Sequence, residues 1–214
     1  MWGGWARDLG AGLEASVRRP VSPDVFATIG FDPVTGRVAA RSPLAVATMD
    51  GLRSTVEAVM RRWCPSAVAA RQAVDSAWTV PDPATGAVPL ADLVALFTQL
   101  REDGIRIAVV TTDDRAPTDA ALRHLGVREA IGAMVCGDDG FATKPAPDAV
   151  WAVCQAYGTP PDRVAVIGDS PADVAMGRSA GAGLVVGVRS GLGTDADLAD
   201  ADTVIDSVGT LLRT

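Results

Sequence analysis

Val164-Ala-Val-Ile-Gly-Asp-Ser-Pro-Ala-Asp-Val-Ala-Met-Gly-Arg-Ser-Ala-Gly181 sets a short apolar run directly against a helix start. Val164–Ile167 is uninterrupted apolar, which suits a strand covered on both faces. Ser170 then offers an N-cap hydroxyl, Pro171 is pre-set for a first helical turn, and Gly181 is a stop. Working outward, the same alternation recurs. Leu90, Leu93, Val94, Phe97 and Leu100 mark a helix ending near Gly104, followed by an apolar strand at Ile105–Val110. A helix is expected over Pro117–Leu125, a strand over Ala130–Cys136, and a helix over Pro147–Tyr157 with Val150, Val153, Cys154 and Tyr157 on one face. Leu184–Val188 reads as a fourth strand, Asp202–Ile205 as a fifth, and Val208–Leu212 as a closing helical turn. Strands alternating with helices predict an α/β fold with a doubly wound parallel sheet.

The first half has another texture. Trp5, Leu9, Leu13 and Val17 recur every four residues, as on one helix face. Leu52, Val56, Val59, Met60 and Trp63 repeat the pattern, and Ala70, Val74, Ala77 and Trp78 follow a start at Pro65-Ser66. Phe26–Gly36 reads as a loop and Pro81–Gly86 as a linker. The expected organisation is a helical domain over 1–86 and an α/β core over 87–214. Four of the five tryptophans fall in the helical part, which points to packing between its helices.

Composition closes several routes. The 214 residues carry 19 Lys and Arg against 26 Asp and Glu, a net charge of −7. That balance argues against a general nucleic-acid binder, which needs a basic stripe. With 48% hydrophobic and 21% charged residues, wholesale disorder is excluded. No apolar run approaches the ~18–20 residues of a membrane span, and Met1–Arg19 lacks the apolar centre of a signal peptide. Cys64, Cys136 and Cys154 show no C-x-x-C spacing and read as buried small residues of a reducing, cytoplasmic setting. His124, the sole histidine, lies on a polar helix face and reads as solvated, so a zinc site or a Ser-His-Asp triad has no centre.

In parallel sheets ligands bind beyond the carboxyl ends of the strands. Three stretches lie there: Thr111-Thr-Asp-Asp-Arg115, Gly137-Asp-Asp-Gly140 and Gly168-Asp-Ser170. Asp169 and Asp173 are two hard carboxylates of the kind Mg²⁺ prefers; equally, they suit a turn and a helix-dipole partner. Thr111 and Thr112 could hold a phosphate with hydroxyl and backbone N–H groups, or form a turn capped by Asp113 or Asp114. Lys144, pinned in Thr143-Lys-Pro-Ala-Pro-Asp148, could balance phosphate and metal charge, or stand in solvent. Nucleotide loops are absent: Gly181-Ala-Gly-Leu-Val-Val-Gly187 lies across a strand, not between strand and helix.

Taken together, Thr111, Lys144 and Gly168-Asp-Ser-Pro-Ala-Asp173 resemble, in order, the second, third and fourth motifs of the haloacid dehalogenase superfamily. The continuation Val174-Ala-Met-Gly-Arg-Ser-Ala-Gly-Ala-Gly183 resembles its phosphoglycolate-phosphatase-like branch, and the first half resembles the helical cap inserted between the first two motifs. The resemblance implies a Rossmann-like core and a Mg²⁺-dependent hydrolase acting on a small phosphorylated metabolite. In that family an Asp ending the first strand attacks phosphorus to give an aspartyl-phosphate. A second Asp two residues on protonates the leaving group and then activates water. By the same resemblance Thr111, with Thr112, would hold the phosphoryl group, and Lys144 would stabilise charge on nucleophile and phosphate. Asp169 would ligate Mg²⁺, and Asp173 would support the metal through water with Ser170 nearby. The metal-free dehalogenase branch is disfavoured by Asp169 and Asp173.

The family's first motif, D-x-D-G-T after an apolar strand, has no match in these residues. Asp32 in Phe31-Asp-Pro-Val-Thr-Gly36 imitates the nucleophile but has Val34 two residues on. Thr48-Met-Asp-Gly-Leu52 has Thr48 where the nucleophile belongs. The expectation is a chain that begins beyond the nucleophile strand, about 15–20 residues late, leaving the central first strand missing and the 105–110 and 164–167 strands flanking a gap. Such a chain would be unstable or would borrow a strand, and would be inactive. The alternative is a non-catalytic family member that binds a phosphorylated ligand or a protein partner. Substrate choice would fall to cap residues such as Trp2, Trp5, Arg7 and the Phe26–Arg37 loop; oligomeric state is left open, with a Trp-rich end favouring self-association.

Overall fold

The computed structural model describes residues 2–79 and 87–213, so the linker expected at Pro81–Gly86 lies outside the described residues. The chain divides into two compact units, Met1–Asp82 and Pro83–Thr214.

The first unit is helical: α1 (Trp2–Val17), α2 (Ser22–Ile29), α3 (Pro43–Val46), α4 (Met49–Met60) and α5 (Ala67–Ala77). Trp5, Leu9 and Leu13 are buried, as their four-residue spacing requires. They join Leu52, Val56, Val59, Met60, Ala70, Val74 and Ala77 in one cluster, against which Trp2, Trp63 and Trp78 pack. Trp5 meets Trp2 and Trp78 edge-on at 5.6 and 5.2 Å, the geometry ring quadrupoles prefer. Thr48 and Ser66 cap α4 and α5, accepting from Gly51 N at 3.2 Å and Ala69 N at 3.1 Å. The loop expected at Phe26–Gly36 needs correction, because Phe26–Ile29 belongs to α2. Pro23 suits its first turn, Val25 and Ile29 turn one face inward, and Gly30 at φ 77° ends it in the left-handed conformation. Only two buried positions in eight residues make this helix too short to show a period.

The second unit alternates α6 (Leu93–Glu102), β1 (Ile107–Val110), α7 (Arg115–His124), β2 (Ile131–Val135), α8 (Asp148–Tyr157), β3 (Ala165–Gly168), α9 (Pro171–Ala180), β4 (Leu184–Val188) and β5 (Thr203–Ile205). Leu90 falls outside α6 because Asp92 is the N-cap, its carboxylate accepting from Ala95 N at 2.9 Å. The α/β architecture with parallel strands is as expected. The strands form two pieces, β1 beside β2 and β3-β4-β5 in that order. All pairs are parallel, with Val109 opposite Met134, Ile167 opposite Val186 and Gly187 opposite Val204.

Among the described residues β1 and β3 are each paired along one edge only. Burial along β3 is uneven. The all-apolar sequence of β3 asks for cover on both faces, yet Ile167 is 41% exposed while its neighbour Val166 is 9% exposed. Helices α8 and α9 hold the two pieces together through a shared apolar cluster of Val135, Val150, Val153, Cys154, Val166 and Met176, with Ala108 and Val110 against it. Val174, Val185 and Leu198 form a smaller cluster beside it. Cys136 and Cys154 are buried, Cys64 is half-buried, and all three are free thiols. His124 is exposed at the end of α7. No helix among the described residues is long and apolar enough to cross a membrane.

Candidate functional site

Two of the places singled out, the end of β1 beside Thr111 and Asp173 in the first turn of α9, meet at one ammonium group. Thr111 prolongs β1 by one bond, its N–H donating to Val135 O at 2.9 Å. One residue back, Val110 O accepts from Lys144 Nζ at 2.9 Å. The same ammonium donates to Asp173 Oδ1 at 2.7 Å. The side chains of Lys144 and Asp173 are only 16% and 10% exposed, so this is a largely desolvated pair rather than a solvated lysine. Lys144 thus ties the carboxyl end of β1 to the first turn of α9, joining the two sheet pieces where the sequence places a ligand.

Local chemistry explains why Asp173 stands where it does. Ser170 and Asp173 form a reciprocal capping box. Ser170 Oγ accepts from Asp173 N at 3.2 Å and donates to Asp173 Oδ2 at 2.6 Å, while Ser170 N donates to the same oxygen at 3.1 Å. Gly168 makes room, since a Cβ there would overlap the Asp173 side chain.

Asp169, at the strand–helix turn, is held from a loop that sequence reasoning passed over. Its Oδ2 accepts from Leu192 N at 2.9 Å and its main-chain O from Gly193 N at 2.7 Å. A Cβ on Gly191 would overlap that carboxylate. The available signal was Gly191-Leu-Gly193 just after the apolar run of β4, a strand end with glycines for close approach.

The β1–α7 and β2–α8 loops lock together. Gly137 N donates to Asp113 O at 2.8 Å. Arg115 N donates to Asp138 Oδ1 at 2.9 Å, and Arg115 Nε to Asp139 Oδ1 at 3.0 Å. The guanidinium holds the Asp139 carboxyl below the usual carboxylate range. The acidic residues of Gly137–Gly140 therefore brace α7. Asp113 differs: burial pushes its carboxyl up, opposed by the Thr111 hydroxyl and the nearby Lys144 charge, and assisted by Asp114. Thr112 sits half-buried beside it.

The two imitation motifs lie in the helical unit and have local duties. Asp32 Oδ1 accepts from Val34 N at 2.9 Å and Oδ2 from Thr35 Oγ1 at 2.5 Å, an Asx turn that holds the carboxyl below its ordinary range. Thr48 is the α4 N-cap, and Asp50 sits in that helix's first turn.

For a divalent cation the residues present offer one ligand rather than a site. No three His, Cys, Asp or Glu side chains converge among the described residues. Asp173 has its oxygens taken up by Lys144 and Ser170, which leaves Asp169 as the hard donor. The donor set does not fit a complete Mg²⁺ shell, which takes about six oxygens with some from water.

Comparison with known proteins follows the same lines. The family model of the haloacid dehalogenase-like hydrolases matches residues 66–181. A phosphoglycolate phosphatase of Rhodospirillum rubrum is 36% identical over 121 residues, 56% of this chain and 50% of that enzyme. A validoxylamine A 7'-phosphate phosphatase of Streptomyces hygroscopicus subsp. limoneus is 29% identical over 119 residues, 56% of this chain and 55% of that protein. The chain thus spans about half the length of these curated relatives. A crystal structure of a predicted phosphoglycolate phosphatase from Haemophilus somnus 129PT has a TM-score of 0.67 at 18% identity, over 98% of this chain and 91% of that one. At that identity the likeness speaks for the fold.

Proposed function

Because this chain belongs to the haloacid dehalogenase-like hydrolase family, we propose that it is the phosphate-handling part of a cytoplasmic phosphatase acting on small phosphomonoesters, similar to phosphoglycolate phosphatases. The observation that carries this reading is the Lys144 ammonium fixed between Val110 O and Asp173 Oδ1, one residue from Thr111. An ammonium has three donors. Two are used, and the third is available to a phosphoryl oxygen. Thr111 adds a hydroxyl, with Thr112 alongside. Ser170 positions Asp173, which positions Lys144. This division of labour supports phosphate binding and charge neutralisation by residues of this chain alone.

The attacking carboxylate is, in this proposal, supplied by a strand outside these 214 residues. Support comes from the absent D-x-D-G-T sequence and from β1 and β3, each paired on one edge only among the described residues. Magnesium would be held by Asp169 with donors beyond those described. The helical unit would act as the cap that selects the substrate. The second reading, a non-catalytic binder of a phosphorylated ligand or protein, rests on the same missing motif.

The test is phosphate release from a panel of small phosphomonoesters, with Mg²⁺, by the 214-residue chain and by protein made from the native gene with its upstream codons. Intact mass is measured on both. Turnover only by the longer product, lost on Asp169→Asn and on Lys144→Ala, supports the phosphatase. Turnover by the 214-residue chain overturns the missing nucleophile and sends the search to Asp32→Asn. Phosphate binding without turnover by either favours the binder.

A further inference from the structure

Asp169 owes its placement to a loop of small residues. Leu192 N donates to Asp169 Oδ2 at 2.9 Å and Gly193 N to Asp169 O at 2.7 Å. Asp169 Oδ1 accepts no hydrogen bond among the described residues, so the loop decides which carboxylate oxygen stays free. Gly191 and Gly193 permit the approach, since a Cβ on either would overlap Asp169. The same glycines make the loop hard to order, because glycine has the widest backbone freedom to lose. The limbs of the loop run from Val188, the last residue of β4, to Leu198, fully buried beside Val174 and Val185. Something must draw those limbs together.

One side chain does so. Arg189 leaves β4 with its N–H on Ile205 O at 3.0 Å. Its Nε donates to Asp195 Oδ1 at 2.7 Å, across the mouth of the loop. Its Nη1 donates to Asp206 Oδ1 at 2.8 Å, just beyond β5. Asp195 in turn lies in a fixed turn, where Thr194 N donates to Asp197 Oδ2 at 3.1 Å and Leu198 N to Thr194 O at 3.1 Å.

We propose that Arg189 is a positioning residue for Asp169: by bridging Asp195 and Asp206 it clasps the loop 190–194, whose main-chain N–H groups hold the Asp169 carboxylate with one oxygen free. The inference rests on the reading of Asp169 as a carboxylate of the phosphatase site.

Asp195 and Asp206 are 72% and 86% exposed, and a single pair so exposed contributes little. Arg189 holds both from one rigid fork that never loses its charge. A short loop without a core of its own needs only a small bias between open and closed forms to keep its amides engaged.

The experiment follows hydrogen exchange and amide signals of Leu192 and Gly193 in the 214-residue chain, with Val186 in the middle of β4 as reference. Arg189→Met is expected to speed exchange at Leu192 and Gly193 by about three- to tenfold and to leave Val186 unchanged. Arg189→Lys, a point charge that meets one carboxylate at a time, is expected to fall between. Asp195→Asn should reproduce the Arg189→Met effect, and Asp206→Asn a smaller one, since Asp195 alone lies on the far limb. Unchanged exchange at Leu192 and Gly193 in both Arg189→Met and Asp195→Asn overturns the clasp. Equal acceleration at all three amides also overturns it, because Arg189 then serves the sheet as a whole.

Phosphate release by protein made from the native gene with its upstream codons reads the consequence. It is expected to fall by a similar factor in Arg189→Met and to be lost in Asp169→Asn. Full turnover in Arg189→Met despite faster exchange overturns the positioning role and leaves the phosphatase reading standing. Full turnover in Asp169→Asn overturns the role of Asp169 and the proposal with it. Absence of turnover in the wild type as well overturns the phosphatase reading and the positioning role, while the exchange rates still decide whether the clasp exists.

Discussion

Replacing Lys144 with Met shortens the side chain by one atom and removes its charge and its three donors. Three effects follow from the geometry. Asp173 Oδ1 loses its partner at 2.7 Å, and Val110 O loses its donor at 2.9 Å. The apolar terminus of Met also enters a polar pocket. Breaking a buried pair from one side costs about 3–5 kcal/mol. Asp173 keeps the Ser170 bonds on Oδ2, which offsets part of that loss. An unsatisfied carbonyl adds about 1–3 kcal/mol if no water replaces the ammonium. A net loss of roughly 2–4 kcal/mol is expected, a large share of the ~5–15 kcal/mol that holds a domain. Urea unfolding reads it as a midpoint shift of about 1–2 M for a slope near 2 kcal/mol/M. The double variant Lys144→Met with Asp173→Asn should recover part of the loss, with a coupling of about 1–3 kcal/mol. A single-variant effect below about 0.5 kcal/mol with no coupling would show Lys144 to be an ordinary surface lysine and refute the pairing argument.

Other outcomes follow from the same residues. Ser170→Ala removes the α9 cap and should lower stability by about 1–2 kcal/mol in thermal or urea unfolding, with weaker phosphate binding as Asp173 loses its orientation. Gly191→Ala places a methyl against the Asp169 carboxylate; it should leave the far-ultraviolet circular dichroism unchanged and lower Mg²⁺-dependent turnover of the longer product. Burial raises the Asp113 carboxyl above its unfolded value, so the folded state binds its proton more tightly. Stability is therefore lost as pH rises from the unfolded toward the folded pKa of this group. Asp113→Asn should accordingly gain stability relative to wild type above that window, and a constant difference across pH would contradict the burial argument.

Much of the fold was legible because its signals are local. The Ser170-Pro171 start and Gly181 stop predict α9 within ten residues of sequence, and the structure places a capping box and a left-handed Gly181 there. The strand runs around Val109, Met134, Ile167 and Val186 were readable because buried parallel strands require unbroken apolar side chains. Helix α2 escaped notice because Val25 and Ile29 are too few to display a period. Asp92 moved the start of α6 past Leu90, a choice made by one side-chain hydrogen bond.

The sequence by itself determined the residue types that can bind phosphate, their order along the chain and the element on which each sits, since apolar period, caps and turns act over a few residues. Only the tertiary structure decided that Lys144 meets Asp173, separated by 29 positions, and that the Gly191–Gly193 loop closes on Asp169. It likewise decided that Asp32 and Thr48 serve their own turn and cap, and that β1 and β3 each keep an unpaired edge among the described residues. Those outcomes depend on which chain segments pack against one another, and that is set by the burial of distant apolar surfaces rather than by any neighbouring residue.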